Sequence, residues 1–198
     1  MLFVKLKSLI MKNLSKLSFL FIFIFSTTLF AQNDTIWYDA NWNIAQKNQA
    51  SYFRPQPVKK NKGYWWVDYY LSGAKQMEAF SLNKDQEQFE GQVTWYHENG
   101  KIMQIVNYKN NSLYGLRKNY HESGPLKSQY SYLDGKIEGE WVEYYENAKL
   151  SESGLYDNGE RNGSWKEYYS DGKLKGEGKY LNDKKVGVWQ MYFYDGLD

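Results

Sequence analysis

From Tyr64 onward the chain alternates apolar and polar residues in runs of about seven to nine, each closed by a turn-forming pair. The runs are rich in Tyr, Trp, Val and Leu, and none shows a helical period. One set of turn pairs is Asn99-Gly100, Ser123-Gly124, Asp171-Gly172 and Asp195-Gly196, with Ala148 where one glycine is missing. The other is Asn110-Asn111, Asp134-Gly135, Asn158-Gly159 and Asn182-Asp183. These residues tolerate positive φ, as two-residue type I′ hairpin turns require. The pattern predicts an antiparallel meander with two strands per unit.

The unit has a fixed length. Gly91, Gly115, Gly139, Gly163 and Gly187 recur every 24 residues, as do Tyr96, Tyr120, Tyr144, Tyr168 and Tyr192. Tyr108, Tyr132, Tyr156 and Tyr180 keep the same step, and Gly100, Gly124, Gly172 and Gly196 mark one turn of each unit. A worn copy containing Trp66, Tyr69, Tyr70 and Gly73 comes first, followed by about three extra residues. Residues 63–198 thus read as about 5.5 units, the first degenerate. Residues 32–62, with Ile36-Trp37-Tyr38, Trp42 and two prolines, read as a strand-rich N-terminal cap.

Two-residue turns also predict register. Asp171-Gly172 sets Trp165 opposite Gly178 and Tyr169 opposite Leu174; one unit earlier Trp141 faces Gly154 and Tyr145 faces Leu150. Val93 faces Val106, and Arg117 faces Tyr130. One face then collects Trp141, Trp165, Trp189, Tyr145, Tyr169, Phe193, the leucines, and Tyr108, Tyr132, Tyr156 and Tyr180. The other takes Lys166, Lys175, Glu177, Lys179 and Gln129, and one aromatic row from Tyr96 to Tyr192. The Trp165 indole is expected to cover the bare backbone of Gly178. The expected fold is all-β, an elongated single-layer antiparallel β-meander in which neighbouring units bury one another and no globular core forms.

Composition adds an address and removes several chemistries. Lys5, Lys7, Lys12 and Lys16 precede an uncharged stretch from Leu17 to Phe30, then Ala31. Residues 1–31 read as a signal peptide, placing the protein in the periplasm, on the outer surface or in the medium. That segment carries four of the 25 basic residues and no acid, so the remainder has 21 basic against 23 acidic residues, a formal −2. Such a balance argues against nucleic acid and against anionic lipid as partners. With no Cys there is no disulfide framework and no thiolate chemistry.

The run from Gly163 to Leu174, Gly-x-Trp-x-x-Tyr-Tyr-x-x-Gly-Lys-Leu, resembles the bacterial variant of the MORN repeat (membrane occupation and recognition nexus). The resemblance covers about residues 64–198 and implies an extended antiparallel β-meander. Similar proteins are often labelled antitoxin components of toxin–antitoxin systems, or are secreted proteins of the Bacteroidetes type. The Asp34–Arg54 block resembles the start of such secreted proteins.

His97 and His121 occupy one repeat column with Tyr70, Tyr145, Tyr169 and Phe193, and read as members of an aromatic row. Glu98, Glu122 and Glu146 read as solvated turn residues. The expectation is a protein with no catalytic, cofactor or metal residues. Its interaction surface would be Trp141, Tyr145, Trp165, Tyr169, Trp189 and Phe193, framed by the repeat glycines. The functional expectation is an exported, non-catalytic interaction or scaffold module at the cell envelope with a protein partner. A cell-surface glycan-binding module and an antitoxin-like inhibitor of an exported toxin are the alternatives.

Overall fold

The computed structural model describes residues 35–194. The signal-like segment and Gly196 lie outside this range. Fifteen strands are found within it: β1 (Ile36–Tyr38), β2 (Tyr52–Arg54), β3 (Val58–Lys60), β4 (Gly63–Tyr70), β5 (Lys75–Ser81), β6 (Phe89–Tyr96), β7 (Ile102–Lys109), β8 (Ser112–Leu113), β9 (Gly115–Tyr120), β10 (Leu126–Leu133), β11 (Lys136–Tyr144), β12 (Leu150–Asp157), β13 (Glu160–Tyr168), β14 (Leu174–Leu181) and β15 (Lys184–Met191). They form one open antiparallel sheet in sequence order, with β3 beside β4 and β8 beside β7 off the main path. The only helical piece among the described residues is a single 3₁₀ turn, Lys47–Gln49.

The two turn types differ in a way that the sequence pattern did not separate. Asn110-Asn111, Asp134-Gly135, Asn158-Gly159 and Asn182-Asp183 are two-residue turns with both φ values positive, as expected. The other set is not. Tyr169 N–H donates to the Lys173 carbonyl and Gly172 N–H to the Tyr169 carbonyl, each at 2.8 Å, which makes a three-residue loop with only its last residue at positive φ. His97–Lys101, His121–Pro125 and Tyr145–Lys149 close in the same way. Ala148, at φ 61°, occupies this position in the unit that lacks the glycine.

A bulge follows each such loop. Tyr168 pairs with Leu174 and Glu167 with Gly176, so Lys175 is the extra residue. The one-residue error in the loop and the one-residue bulge cancel. Trp165–Gly178, Trp141–Gly154, Val93–Val106 and Arg117–Tyr130 are therefore register pairs as expected. Closer to the turn the expectation fails: Leu174 pairs with Tyr168 and Leu150 with Tyr144, not with Tyr169 and Tyr145. Directly opposed residues share a face. The leucines thus line the face opposite the tryptophans.

A second bulge lies at the repeat glycines. Ser153 pairs with Lys166 and Leu155 with Asn162, so Gly163, Ser164 and Trp165 oppose Gly154 alone. Gly163 has φ 74° there, and Gly91, Gly115, Gly139 and Gly187 are also at positive φ, a backbone that a side chain would strain.

A compact core exists, contrary to expectation, and it sits at the N-terminal end of the sheet. Trp66, Met77, Ala79, Phe89, Val93 and Val106 are buried together, with Tyr64, Trp95, Tyr108 and Leu113 against them. The cap closes over this cluster. The Arg54 guanidinium lies 4.4 Å from the Trp66 ring centre and pairs with buried Asp68. Small apolar residues (Ala79, Val93, Val106) occupy adjacent strands here, so a core replaces the ring-on-ring packing of the later units.

Candidate interaction face

The tryptophans do not cover the glycines that they pair with. A Cβ built on Gly154 would fall into the Trp165 indole, and one built on Gly178 would lie 2.5 Å from the Trp189 ring. Each indole therefore leans back over the strand before its own, which corrects the expected Trp165–Gly178 cover. The bulge at the repeat glycine re-aims the indole. The Trp165 Nε1–H donates to the Leu155 carbonyl at 3.2 Å and Trp189 Nε1–H to the Lys179 carbonyl at 3.1 Å, fixing the same tilt. At Trp141 the residue beneath is Tyr130 instead of glycine, and the two rings stack at 4.3 Å.

The rings continue across the sheet. Trp141 meets Tyr156, Tyr156 meets Trp165, Trp165 meets Tyr180 and Tyr180 meets Trp189, with centres 5.2–5.5 Å apart. Most of these contacts are edge-on or tilted, the arrangement that aromatic quadrupoles favour. Cations complete the row. The Arg161 guanidinium is 5.1 Å from both the Trp165 and Tyr180 centres, and Lys185 Nζ is 3.7 Å from the Trp189 centre.

The expected surface residues fare unequally. Trp165 is 1% exposed and closed to any partner. Trp141 and Trp189 are half-buried. Phe193 is 80% exposed. Tyr145 and Tyr169 use their hydroxyls within the sheet: Tyr145 Oη donates to the Tyr168 carbonyl at 2.7 Å, and Tyr169 Oη to the Tyr192 carbonyl at 2.9 Å. His121 Nε2–H donates to the Tyr144 carbonyl at 2.9 Å, and His97 Nε2 lies 3.4 Å from the Tyr120 carbonyl. All four span 23 residues, so this column is a ladder that ties each repeat to the next. Tyr70 makes the same bond to the Tyr96 carbonyl across 26 residues, which places the three extra residues of the worn unit between them. Phe193 stands at the end of this column without a hydroxyl.

A row of carboxylates runs beside the rings. Glu143 pairs with Glu152 and Glu152 with Glu167, three like charges on adjacent strands. Opposed like charges destabilise a sheet. Burial, and then the Glu143 and Glu167 carboxylates, push the Glu152 pKa up against the opposing pull of Arg161 and Lys185. Arg161 Nη1 is 3.7 Å from Glu152, and Lys185 Nζ and Lys175 Nζ are 3.5 and 3.8 Å from Glu167. The sequence carried a signal for this row: Glu143 and Glu167 each stand two residues after a tryptophan, on the same side of the strand.

The repeats have a counterpart among known families. Residues 89–110, 113–134, 137–158 and 161–182 each match the family model of the MORN repeat variant. No curated protein matches the chain. The stretch from Phe89 to Asn182 thus carries four consecutive MORN repeat variants.

Proposed function

We propose that the protein is an exported, non-catalytic repeat module that holds a protein partner at the cell envelope. The observation that carries this reading is the face of β11–β15, where the half-buried rings of Trp141, Tyr156 and Trp189, packed around the buried Trp165 and Tyr180, lie beside the row Glu143, Glu152 and Glu167, and no second layer of described residues lies above. Its composition suits a protein segment bearing Lys or Arg, whose cations would relieve the carboxylate row and lie against the rings. The basic–apolar–small order of residues 1–31 supports export.

Cross-linking and co-purification from the envelope fraction of the native host test the proposal. Wild-type protein is expected to recover a discrete partner, and Glu152→Lys to lose it while remaining folded. A Glu152→Lys protein that recovers the partner undiminished would remove this face from the account. Intact mass tests the export half; a mature protein retaining residues 1–31 would contradict it.

A further inference from the structure

A cavity of about 300 Å³ opens between the cap and the first strands of the sheet, lined by Tyr38, Trp42, Arg54, Asp68, Gln76 and Glu87 among others. Its polar groups are built in. Arg54 and Asp68 are 7% and 1% exposed. Arg54 Nε–H donates to Asp68 Oδ1 at 2.5 Å and Nη2–H to Asp68 Oδ2 at 2.6 Å; Nη2 also reaches Glu87 Oε1 at 3.3 Å. Gln76 is 7% exposed, and its side-chain oxygen is buried without a hydrogen-bond partner.

Two backbone irregularities point the same way. Gln76 is the bulge residue of its strand: Asp68 pairs with Met77 and Tyr69 with Lys75, leaving Gln76 unpaired in the ladder. The corresponding bulge residues of later units, Met103, Lys127, Ser151 and Lys175, are none of them buried. Trp42 has φ 62°, a left-handed backbone that a bulky aromatic residue rarely adopts. The Asp39 carboxylate holds that turn by accepting from the Asn41 and Asn43 backbone N–H groups at 2.8 and 3.0 Å. One Trp42 ring face stacks on Tyr52 at 4.6 Å. Strain of this kind, kept in place by its surroundings, gathers at binding sites.

We propose that this cavity binds one ring of a neutral, hydroxyl-rich carbohydrate. A sugar hydroxyl can donate to the orphan Gln76 oxygen and to Glu87, groups that a pure acceptor ligand would leave unmatched. Aromatic walls suit the apolar C–H face of a pyranose, and the volume is at the lower end of small-ligand sites. Anions fit poorly, because the Arg54 charge is already matched by Asp68 and outnumbered once Glu87 is counted. Organic cations fit poorly too, because the Arg54 guanidinium already occupies the ring faces of Tyr38 and Trp66, at 5.4 and 4.4 Å. The cavity is separate from the face of β11–β15 and does not depend on a protein partner there.

The test titrates glucose, galactose, mannose and N-acetylglucosamine, each at millimolar concentrations, into the protein while following tryptophan fluorescence and saturation-transfer NMR. Inorganic phosphate and tetramethylammonium are the charged probes. Saturable binding of at least one sugar, and of neither ion, is expected. Gln76→Met should weaken sugar binding at least about tenfold while the melting temperature stays level or rises, because an unmet acceptor is removed. Glu87→Ala, at an exposed rim position, should also weaken binding and serves if the first variant does not fold. Failure of every sugar to bind, preferential binding of either ion, or sugar binding undiminished in these variants would each overturn the proposal.

Discussion

The Trp165 indole rests on Gly154, in the strand before its own, and not on Gly178, its register partner. Every later feature of the aromatic face depends on this tilt. Gly154→Val is therefore expected to be the most damaging of three glycine substitutions, by about 1–3 kcal/mol, because it displaces a fully buried indole. Gly178→Val should cost less, since Trp189 lies in the last described strand and is only half-buried. Gly176→Val should be mildest, because its closest contact is the flexible Met191 side chain and the Gln190 carbonyl oxygen, at 3.3 Å, needs to give by only a few tenths of an ångström, where the other two meet an indole. Thermal melts of the three give the order.

The side-chain ladder makes a second expectation. Tyr169→Phe and Tyr145→Phe keep the ring and remove the hydroxyl that serves the Tyr192 or Tyr168 carbonyl. Each should cost about 0.5–1.5 kcal/mol in urea unfolding.

At residue 148 the chain departs from its own pattern. Ala148 sits at φ 61°, where Gly100, Gly124 and Gly172 stand in the neighbouring units. Ala148→Gly should stabilise by up to about 1 kcal/mol by relieving the left-handed strain, less the extra chain entropy of glycine. The midpoint of denaturant unfolding reads this directly.

Glu152 gives the protein a pH dependence. Its folded-state pKa is raised above the ordinary value of 4.5, so the group favours folding in acid and that advantage is lost as pH rises through the folded pKa. Glu152→Gln is expected to be more stable than wild type at neutral pH. The gap should close as pH falls below the ordinary carboxylate range. Chemical unfolding across this range checks the sign; a gap that is constant with pH would mean the carboxylate row costs nothing.

Much of this was legible in the sequence, for identifiable reasons. The 24-residue step and the Asn/Asp/Gly turn pairs fixed strand number and direction. Mid-strand pairs such as Val93–Val106 were legible because the three-residue loop and the Lys175-type bulge cancel. The placement of Leu150 and Leu174 was not legible, because an Asp-Gly pair fits both a two-residue turn and the end of a three-residue loop. The direction of the indoles was hidden as well, since it follows from positive φ at Gly163 and not from alternation. The Arg54–Asp68 pair went unread, although Asp68 alternates with Trp66 and Tyr70, an acid among inward-facing rings.

The central structural claim is that each indole leans back over the preceding strand, and proton NMR tests it most directly. A proton above an indole face is shifted upfield by the ring current. The Gly154 Hα signals should lie well upfield in the wild-type protein and return to ordinary strand values in Trp165→Leu, while those of Gly178 respond instead to Trp189→Leu. A Gly178 signal that moves on loss of Trp165, with Gly154 unaffected, would contradict the tilt and the assignment of the aromatic face built on it.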